Sequence, residues 1–472
     1  MELGIVIMAA GKGTRLKSRR AKVLHEIGGR PLLAHVIAAA AQVVPPQDIL
    51  VIVGHQAESV LSTVRDTGVR FVLQEEQRGT GHALQVAERD TREYEQLIVL
   101  SGDVPLLRAE SIAALRDFHR EEQAAMTILT AAPADPVGYG RVLRRRADQA
   151  EVTAIVEQKA LTSAQESVRE INSGIYAFRR AALYEHIAQL RADNAHSEFY
   201  LTDMARILAE AGERVVALQA VDPAEVLGAN TIAEMMDLDR ELRMRTARRL
   251  MAEGVTIFRP ETVVIDSEVR VGPDTVIEPF AQLLGATHVG SDCRICSFSV
   301  LEGTTLADRV TIRQSCVLEH SHVEKGASLG PFAHLRPGCH IGENAHIGNF
   351  VEGKKLRMGR GSKANHLTYL GDAQVGEGVN IGAGTITCNY DGHGKYPTVI
   401  EDRAFVGSDT TLVAPIVVGE GSYIAAGSCI TEDVPADALA LGRARQATKP
   451  HWAKNRRAQL ESRKAEHSKS EK

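Results

Sequence analysis

The sequence predicts two domains of different architecture, an α/β domain built on a mostly parallel sheet and a parallel β-helix that follows it. Two patterns predict this arrangement. In the first half of the chain, strand-like apolar runs alternate with helix-like stretches, and in the second half aliphatic residues recur at every sixth position. The 472 residues are also too many for one ordinary domain, so two domains of roughly 200 residues each are expected.

The first element is a short apolar strand at the N-terminus that runs into a glycine-rich loop. Gly11 and Gly13 lie in this loop, where backbone N–H groups can approach phosphate oxygens closely. The third glycine of a dinucleotide fingerprint is missing, and so is the Gly-Lys-Ser/Thr of a P-loop. Lys12, Arg15 and Lys22 surround the loop, and three cations suit a triphosphate. Solvated surface cations are the alternative.

Further strand-like runs at residues 49–53, 71–73 and 96–100 alternate with helical stretches. This alternation predicts a doubly wound sheet, in which ligands bind at the carboxyl ends of the strands. Asp103 follows the last of these runs. A carboxylate at this place can hold Mg²⁺ on a phosphate-rich substrate, although a helix cap is the alternative.

Residues 231–254 are continuously compatible with a helix and carry dense charge, with neither proline nor glycine before Gly254. We interpret them as a helix that links the two domains. The alternative is that they form the last helix of the first domain.

A ladder of aliphatic residues predicts the β-helix. A period of six fits neither the 3.6 of an α-helix nor the 2 of a strand, so the chain must turn a corner at each repeat. Three repeats per coil give a triangular prism whose interior the ladder fills. The ladder residues are Val271, Ile277, Leu283, Val289, Ile295, Leu301, Leu306, Ile312, Leu318, Val323, Leu329, Leu335, Ile341, Ile347, Val406, Leu412, Val418, Ile424 and Ile430.

Polar and charged residues interrupt the ladder twice, between Ile347 and Val375 and again from Asn380 to Lys395. We expect these residues to leave the prism and to form a site. Without them, a stability module or a trimerisation stalk would be an equally good interpretation of the β-helix.

Composition restricts the partners and the compartment. A net charge of −5 gives no general attraction to nucleic acid or anionic lipid, which leaves small molecules or copies of the same chain as partners. No apolar run reaches the roughly 18 residues of a membrane span, and no cleavable leader is recognisable, so a cytoplasmic location is expected.

The six cysteines all follow residue 292, a distribution that suits neither a disulfide framework nor paired metal ligands. Cys293 and Cys296 form one C-x-x-C, but no second pair accompanies it. We favour a structural role over zinc binding or redox chemistry, and expect all six to be reduced packing residues.

The motifs of the first half resemble those of sugar-1-phosphate nucleotidyltransferases, which have a Rossmann-like α/β fold. In order, they are Ala9-Ala10-Gly11-Lys12-Gly13-Thr14-Arg15, Lys22-Val23-Leu24, Gln74, Gly79-Thr80-Gly81-His82-Ala83, Gly102-Asp103-Val104-Pro105, Gly138-Tyr139-Gly140-Arg141, Glu157, Asn172-Ser173-Gly174 and Asn230. The combination most resembles the uridyltransferase half of the bifunctional bacterial enzymes that make UDP-N-acetylglucosamine.

This resemblance implies a role for each motif residue. Lys22 and Arg15 would be the catalytic cations, Gln74 with Gly79-Thr80 would recognise uracil, and Asp103 with Asn230 would hold Mg²⁺. Gly140, Glu157 and Asn172 would line the acetamido sugar. The complete set implied to bind UTP and the sugar nucleotide is Gly11, Gly13, Lys22, Gln74, Gly79, Thr80, Gly140, Glu157, Asn172 and Asn230.

The second half resembles the acetyltransferase half of the same family, a left-handed parallel β-helix, and the likeness covers roughly residues 3–445. His366 would be the general base, oriented by Glu352. Asn389 and Tyr390 would hold the reacting end of acetyl-CoA, with Lys395 nearby. The residues implied to bind glucosamine phosphate are Arg336, Lys354, Tyr369 and Asn380, and those implied to bind acetyl-CoA are Ala383, Asn389, Tyr390, Ser408, Ala426 and Arg443.

Four positions depart from the family pattern. Ala21 replaces a common proline, Ser101 a larger residue, Thr231 a second asparagine and Gly353 a larger apolar residue.

The predicted organisation is therefore a uridyltransferase domain at residues 1–230, the linking helix at 231–254, the acetyltransferase domain at 255–445 and a basic tail at 446–472. The tail contains Trp452 and is expected to be a solvated helix or disordered. The resemblance implies a homotrimer that uses UTP, acetyl-CoA and Mg²⁺. The rival interpretation keeps the nucleotidyltransferase and makes the β-helix a non-catalytic module for trimerisation or regulation.

Overall fold

The computed structural model describes residues 2–146, 150–193 and 197–470, with only the backbone described for residues 465–470. The chain forms two compact units. The first comprises Met1–Ala252, Val264–Val269 and Leu283–Gly285, and the second comprises Glu253–Val263, Arg270–Gln282 and Ala286–Lys472. Within the described part of the chain, none of the helices combines the length and the apolarity that crossing a bilayer requires.

The first unit is built on a mixed, mostly parallel sheet covered by helices. Its strands are β1 (Leu3–Ala9), β2 (Glu26–Ile27), β3 (Arg30–Pro31), β4 (Ile49–Val53), β5 (Arg70–Leu73), β6 (Gln96–Ser101), β7 (Met126–Ala131), β8 (Arg141–Arg144), β9 (Val152–Val156), β10 (Ile171–Arg179) and β11 (Val215–Gln219). Its helices are α1 (Leu32–Ala40), α2 (Ala57–Val64), α3 (Thr80–Ala87), α4 (Ala109–Glu121), α5 (Arg180–His186), α6 (Asp203–Glu210) and α7 (Ile232–Ala252).

The sheet order β11-β7-β10-β6-β1-β4-β5 confirms the predicted α/β class. The central strands β1, β4 and β6 are runs of valine, isoleucine and leucine that are almost wholly buried, as expected for parallel strands with helices on both faces. β10 is antiparallel to both of its neighbours, β6 and β7, and the side strands β8 and β9 also pair antiparallel. Because β1, β4, β5 and β6 are parallel, the loops that follow them meet at one edge of the sheet.

Helix α7 packs against the first unit. Met235 and Leu238 are buried in a small core with Ile27 and Leu106. Arg245 donates one hydrogen bond to the carbonyl oxygen of Leu106 at 2.9 Å and pairs with Asp222 at 2.8 Å. Both apolar packing and charged contacts therefore hold this helix to the unit.

The later strands are short and parallel, and they form the predicted β-helix. They are β12 (Thr256–Ile257), β13 (Val264–Ile265), β14 (Arg270–Val271), β15 (Val276–Ile277), β16 (Gln282–Leu284), β17 (His288–Val289), β18 (Arg294–Ile295), β19 (Val300–Glu302), β20 (Thr305–Leu306), β21 (Thr311–Ile312), β22 (Val317–Glu319), β23 (His322–Val323), β24 (Ser328–Leu329), β25 (His334–Leu335), β26 (His340–Ile341), β27 (His346–Lys354), β28 (Arg357–Met358), β29 (Lys363–Gly371), β30 (Ala373–Val375), β31 (Asn380–Ile381), β32 (Ile386–Cys388), β33 (Thr398–Ile400), β34 (Phe405–Val406), β35 (Thr411–Val413), β36 (Ile416–Val418), β37 (Tyr423–Ile424), β38 (Cys429–Ile430) and β39 (Leu439–Ala440). Helix α8 (Trp452–Ser470) follows them.

Successive coils stack in register and bury the ladder. Leu301, Leu318 and Leu335 occupy one interior column and have no exposed surface. Paired residues such as Arg294 and Thr311 are 17 positions apart, which corresponds to about three hexapeptides per coil. The predicted interior role of the aliphatic ladder is therefore confirmed.

The first predicted interruption does not leave the prism. β27 and β29 pair in parallel along their length, so the coils continue through residues 346–371. The ladder disappears from the sequence there because smaller residues, Gly353 and Ala364, occupy interior positions. The second interruption does add chain, since Asn380 and its partner Phe405 are 25 positions apart.

Four of the cysteines are buried, as predicted for packing residues. They are Cys293, Cys296, Cys316 and Cys339. Burial raises the pKa of each, to about 11 for Cys316, so these side chains are protonated thiols at neutral pH. The prediction is wrong for Cys429, which is exposed because it precedes the buried Ile430 and therefore faces outward.

Candidate active sites

A cavity of about 480 Å³ lies at the carboxyl edge of the sheet in the first unit. The glycine-rich loop after β1, the segment after β5 and the residues after β6 contribute to its wall. Its lining includes the predicted residues Gly11, Gly13, Arg15, Lys22, Gln74, Gly79, Thr80, Asp103 and Asn230, together with Lys12. The structure thus brings most of the residues predicted for this site into one cavity.

Glycine is suited to positions 11 and 13 of the loop for different physical reasons. Gly13 has a φ of 62°, and a Cβ there would lie 2.6 Å from the Cβ of Lys22, so only glycine fits without displacing the lysine. A Cβ at Gly11 would meet no atom within 4 Å. Gly11 therefore leaves open space beside the cavity, as close approach of a ligand to the backbone requires.

Lys22 and Arg15 converge on Asn230. Lys22 Nζ donates to Asn230 Oδ1 at 3.0 Å and forms an ion pair with Asp103, and Arg15 donates to the same amide oxygen at 2.8 Å. The Lys22–Asp103 pair is largely shielded from solvent. Two cations beside a loop of backbone amides create a place where negative charge is stabilised.

Asp103 and Asn230 supply the kind of oxygen ligands that Mg²⁺ prefers. The Lys22 ammonium contacts oxygens of both residues, so these oxygens already converge on one cation. Gly228 leaves room for the Asp103 carboxylate, because a Cβ at this position would lie 3.3 Å from Asp103 Oδ2. The donor set therefore fits a magnesium ion.

The segment after β5 is fixed by its own hydrogen bonds. Gln74 is buried, and its amide nitrogen donates to the carbonyl oxygen of Gly79 at 3.2 Å. Thr80 Oγ accepts a hydrogen bond from the backbone N–H of Leu201 at 3.0 Å. Gly79 has a φ of 102°, and a Cβ there would clash with the backbone of Phe199. This rigid turn places amide groups at the cavity wall.

Gly140, Glu157 and Asn172 lie close to one another, but they are not among the residues that line the cavity. The backbone N–H of Asn172 donates to the carbonyl oxygen of Gly140 at 2.9 Å, and a Cβ at Gly140 would lie 3.7 Å from the Glu157 carboxylate. Burial raises the pKa of Glu157, while a hydrogen bond from Thr202 partly offsets the effect. A carboxylate with little solvent seeks hydrogen-bond donors, which sugar hydroxyl and amide groups provide.

The structure accommodates three of the departures from the family pattern. The N–H of Ala21, which a proline would lack, donates to Gln56 at 2.8 Å and braces the loop. Ser101 lines the cavity and donates to the carbonyl oxygen of Gly174 at 3.3 Å. Thr231 accepts a hydrogen bond from the N–H of Glu234 and so caps helix α7.

Sequence reasoning missed two polar side chains of the first cavity. Gln77 and Glu198 both line it, and Gln77 donates to the carbonyl oxygen of Gln74 at 2.9 Å. Gln77 was within reach of sequence analysis because it lies between the motif residues Gln74 and Gly79. Glu198 comes from a distant part of the chain, and no local pattern marks it.

In the second unit, five of the residues predicted for acetyl transfer, His366, Ala383, Ser408, Ala426 and Arg443, lie in one row across neighbouring coils. The carbonyl oxygens of His366, Ala383 and Ser408 each accept a hydrogen bond from the coil that follows, at 3.4, 2.7 and 2.7 Å. Ala426 and Arg443 continue the row, next to Gly407 and Gly427 respectively. A row of this kind provides an elongated surface for an extended ligand beside His366.

His366 has Asn349 as its hydrogen-bond partner. The two residues are opposite each other on β27 and β29, and the Nδ1 of His366 lies 2.5 Å from Asn349 Oδ1. An amide oxygen only accepts, so in the neutral ring Nδ1 carries the proton and Nε2 keeps a lone pair. Glu352, predicted to orient His366, instead pairs with Arg336 at 3.3 Å. Sequence analysis did not single out Asn349.

Three predicted cations of the second unit, Arg336, Lys354 and Lys395, lie near one another. Lys395 and, less strongly, Arg336 lower the pKa of Lys354, the hydrogen bond from Lys395 having the largest effect. Mutual repulsion of this kind is relieved when an anion such as a phosphate binds. Tyr369 lies opposite Glu352 on the neighbouring strand, and Asn380 lies opposite Lys363 on the next coil.

The added chain of the second interruption forms a tight loop at residues 389–396. Asn389 is buried and donates to Asp372 at 2.6 Å. Tyr390 is exposed and pairs with Lys395 through a backbone bridge. Asp391 closes the loop by accepting from the N–H groups of His393 and Gly394.

Gly353, the fourth departure, lies in the interior column between Leu335 and Leu370. A Cβ there would lie 3.0 Å from a methyl carbon of Leu335 and 3.2 Å from one of Leu356. The neighbouring leucines therefore fill the space that a larger residue occupies in the family pattern.

Comparisons with known families agree with this two-unit organisation. Residues 5–201 match the MobA-like NTP transferase domain. Residues 320–352 match the bacterial transferase hexapeptide, and residues 397–432 match the hexapeptide repeat of succinyl-transferase. The β-helix is thus of the left-handed, hexapeptide-repeat type.

Curated relatives match the chain over nearly its whole length. The bifunctional protein GlmU of Koribacter versatilis is 58% identical, over 98% of this chain and 99% of its own length. The GlmU proteins of Solibacter usitatus and Brevibacillus brevis are 51% and 45% identical, over 96% and 95% of this chain and 97% and 96% of their own lengths. The chain therefore belongs to the GlmU family of bifunctional enzymes, which combine nucleotidyltransferase and acetyltransferase activities.

Proposed function

We propose that the chain makes UDP-N-acetylglucosamine in two steps at two sites. The second unit transfers the acetyl group of acetyl-CoA to the amine of glucosamine-1-phosphate. The first unit then joins the product to the uridylyl group of UTP and releases pyrophosphate. The observation that carries the proposal is the presence of two separate constellations, Lys22 with Asp103 and His366 with Asn349, in a chain of the GlmU family.

In the uridylyl step, a phosphate oxygen of the sugar attacks the α-phosphorus of UTP, and pyrophosphate leaves. Negative charge accumulates on the phosphate oxygens, so positioned cations and backbone amides provide most of the catalysis. Lys22 and Arg15 supply the cations, and Gly11 and Gly13 allow the backbone to approach. The Gln74–Gly79 turn would recognise the base.

Asp103 and Asn230 would hold the magnesium ion of this step. Mg²⁺ neutralises phosphate charge and orients the reacting groups. We expect a chelator to stop pyrophosphate release while thioester consumption continues, because proton transfer to the His366 imidazole does not itself use a metal ion. Loss of both activities on chelation would contradict this assignment.

In the acetyl step, the amine of glucosamine-1-phosphate must lose a proton before its lone pair attacks the thioester. His366 Nε2 would accept that proton, with its ring held by Asn349. Arg336, Lys354 and Lys395 would bind the sugar phosphate, and the row from Ala383 to Arg443 would bind the coenzyme.

We further propose that the chain assembles as a homotrimer in solution. Phe280 and Phe298 form one stacked pair and Phe332 and Phe350 another, with ring centroids 5.2 Å apart in each pair. The two pairs share one outward column, in which Ser315 separates them, and all four phenylalanines are at least half exposed. All four have positive φ, a strained conformation for bulky residues, and Leu367 beside His366 continues the column. Exposed apolar surface of this regularity supports burial against another copy. Sedimentation analysis of the wild type tests the trimer, and a monomer would contradict it.

Substrate pairs test the two activities on the full chain. Acetyl-CoA with glucosamine-1-phosphate should release free thiol, and UTP with N-acetylglucosamine-1-phosphate should release pyrophosphate. Acetyl-CoA with N-acetylglucosamine-1-phosphate is the control, since this sugar has no free amine. The rival proposal of a non-catalytic β-helix predicts no thiol release from any sugar.

A further inference from the structure

Two histidines and a glutamate converge on the outer face of one β-helix sheet. His322 and His340 are opposite each other on β23 and β26, and their ring centroids are 4.9 Å apart. His340 Nε2 lies 2.6 Å from Glu324 Oε1. Each side chain offers one potential ligand atom, and these three atoms all lie within 4.8 Å of one another.

The strand geometry explains why the three side chains share one face. Val323 and Ile341 are fully buried ladder residues that point into the prism. Side chains alternate along a strand, so the neighbours His322 and Glu324 point outward, as does His340. The side chains of Glu324 and His340 are each about 40% exposed to solvent, which leaves room for an ion.

Glu324 departs from its column. The equivalent position of each coil lies two residues beyond the paired outward residue. Most of these positions hold glycine or alanine, namely Gly272, Gly290, Ala307, Gly342, Gly359, Gly376 and Gly419, and one holds a second acid, Glu401. Because Gly342 beside it has no side chain, the Glu324 carboxylate has space to reach His340. Of the two acids in this column, Glu324 is the one that lies beside two facing histidines.

The carboxylate of Glu324 is oriented at both oxygens. Its Oε1 contacts His340 Nε2. The other carboxylate oxygen accepts a hydrogen bond from the backbone N–H of Glu343 at 3.2 Å. Outer hydrogen bonds of this type fix the direction of a ligand group.

We propose that His322, Glu324 and His340 bind a divalent transition-metal ion, with Zn²⁺ as the preferred ion. Imidazole nitrogen and carboxylate oxygen are ordinary zinc ligands at about 2.0–2.2 Å, whereas Mg²⁺ and Ca²⁺ favour oxygen ligands. Three protein ligands leave a fourth position for water. The ion would join two coils of the folded unit and stabilise it, because the unfolded chain lacks the site.

Zinc titration of the metal-free full chain tests the proposal. Excess Mg²⁺ is present so that Asp103 does not compete, and a thiol-free reductant prevents disulfide formation by the exposed Cys429 without adding a competing thiol. We expect the wild type to bind one zinc ion per chain at this cluster. Each of the changes His322→Gln, Glu324→Gln and His340→Gln should weaken the affinity for that ion at least tenfold. His334→Gln is the matched control, since His334 contacts Glu319 at 3.3 Å in a His–Glu pair outside the cluster.

Two further readouts keep the test independent of folding. Without zinc, the thermal midpoints of the three variants should stay close to that of the wild type, and added zinc should raise only those of the wild type and His334→Gln. Cobalt should give visible absorption bands in the wild type that the three variants lose. The proposal is overturned if the wild type binds no such ion, if the three variants keep it, or if His334→Gln loses it equally. The alternative in those cases is a simple ion pair between His340 and Glu324.

Discussion

Lys22 is the side chain on which nucleotidyl transfer depends most directly. It contacts Asp103 and Asn230 at once, and Gly13 leaves the space in which it lies. We predict that Lys22→Ala lowers uridylyl transfer by roughly 10²–10³, the range found when one preorganised charge-stabilising group is removed. Steady-state pyrophosphate release measures the effect. Arg19→Ala is the control, because Arg19 is an exposed cation near the same loop but outside the cavity lining.

Acetyl transfer should remain at the wild-type rate in Lys22→Ala. An equal loss of both activities would mean that the substitution damages the fold, and an unchanged rate of uridylyl transfer would remove Lys22 from the mechanism.

Asn349 holds His366 in the tautomer that leaves Nε2 free. Loss of a single hydrogen bond of about 1 kcal/mol corresponds to roughly a fivefold change in rate. We therefore predict that Asn349→Ala lowers the kcat of acetyl transfer about fivefold with little change in KM for the sugar phosphate. Asn349→Asp keeps an acceptor oxygen and should restore most of the rate.

Glu352→Gln separates the two candidate orienting residues. Because Glu352 pairs with Arg336, its substitution should act mainly on KM for the sugar phosphate. A large fall in kcat for Glu352→Gln, with Asn349→Ala unaffected, would instead support the orienting role predicted from the sequence. That prediction could not include Asn349, since its hydrogen bond joins residues 17 positions apart in neighbouring coils.

At the scale of elements, helix α4 is tied to strand β7 by a buried histidine. His119 is 1% exposed, and its Nδ1 lies 2.7 Å from Thr127 Oγ. Burial, with smaller effects of Arg179 and Arg120, lowers the pKa of His119 to about 4. The unfolded chain therefore binds this proton more tightly, and stability is lost as the pH falls from about 6.5 towards 4.

We predict that His119→Gln reduces this acid sensitivity. Between pH 7.5 and pH 5, the free energy of unfolding should fall by roughly 2 kcal/mol more in the wild type than in His119→Gln. Calorimetry of the first unfolding transition at the two pH values measures the difference. His451→Gln, at an exposed histidine, should behave like the wild type. Parallel losses in the wild type and His119→Gln would contradict the prediction.

The elements were predictable wherever a pattern repeats. The six-residue ladder predicted the β-helix because each interior position demands an apolar side chain, and columns such as Leu301–Leu318–Leu335 confirm it. The pattern failed at residues 346–371 because stacked coils also tolerate Gly353 and Ala364 when neighbours fill the interior. Periodicity therefore reports side-chain size rather than the path of the backbone.

At the scale of the whole molecule, each compact unit contains its own constellation. The motif residues of the first unit were predictable because they follow strands of a parallel sheet, whose carboxyl ends meet at one edge. Glu198 was not, since it reaches the cavity from a segment without a motif. The zinc cluster was not predictable either, because His322 and His340 become neighbours only when the coils stack.

The central claim is that one chain carries two chemically independent reactions. Asp103→Ala and His366→Ala, assayed separately for pyrophosphate release and thiol release, test it most directly. We predict that Asp103→Ala loses uridylyl transfer and keeps acetyl transfer, and that His366→Ala does the reverse. Loss of both activities in either variant, or full acetyl transfer by His366→Ala, would contradict the account.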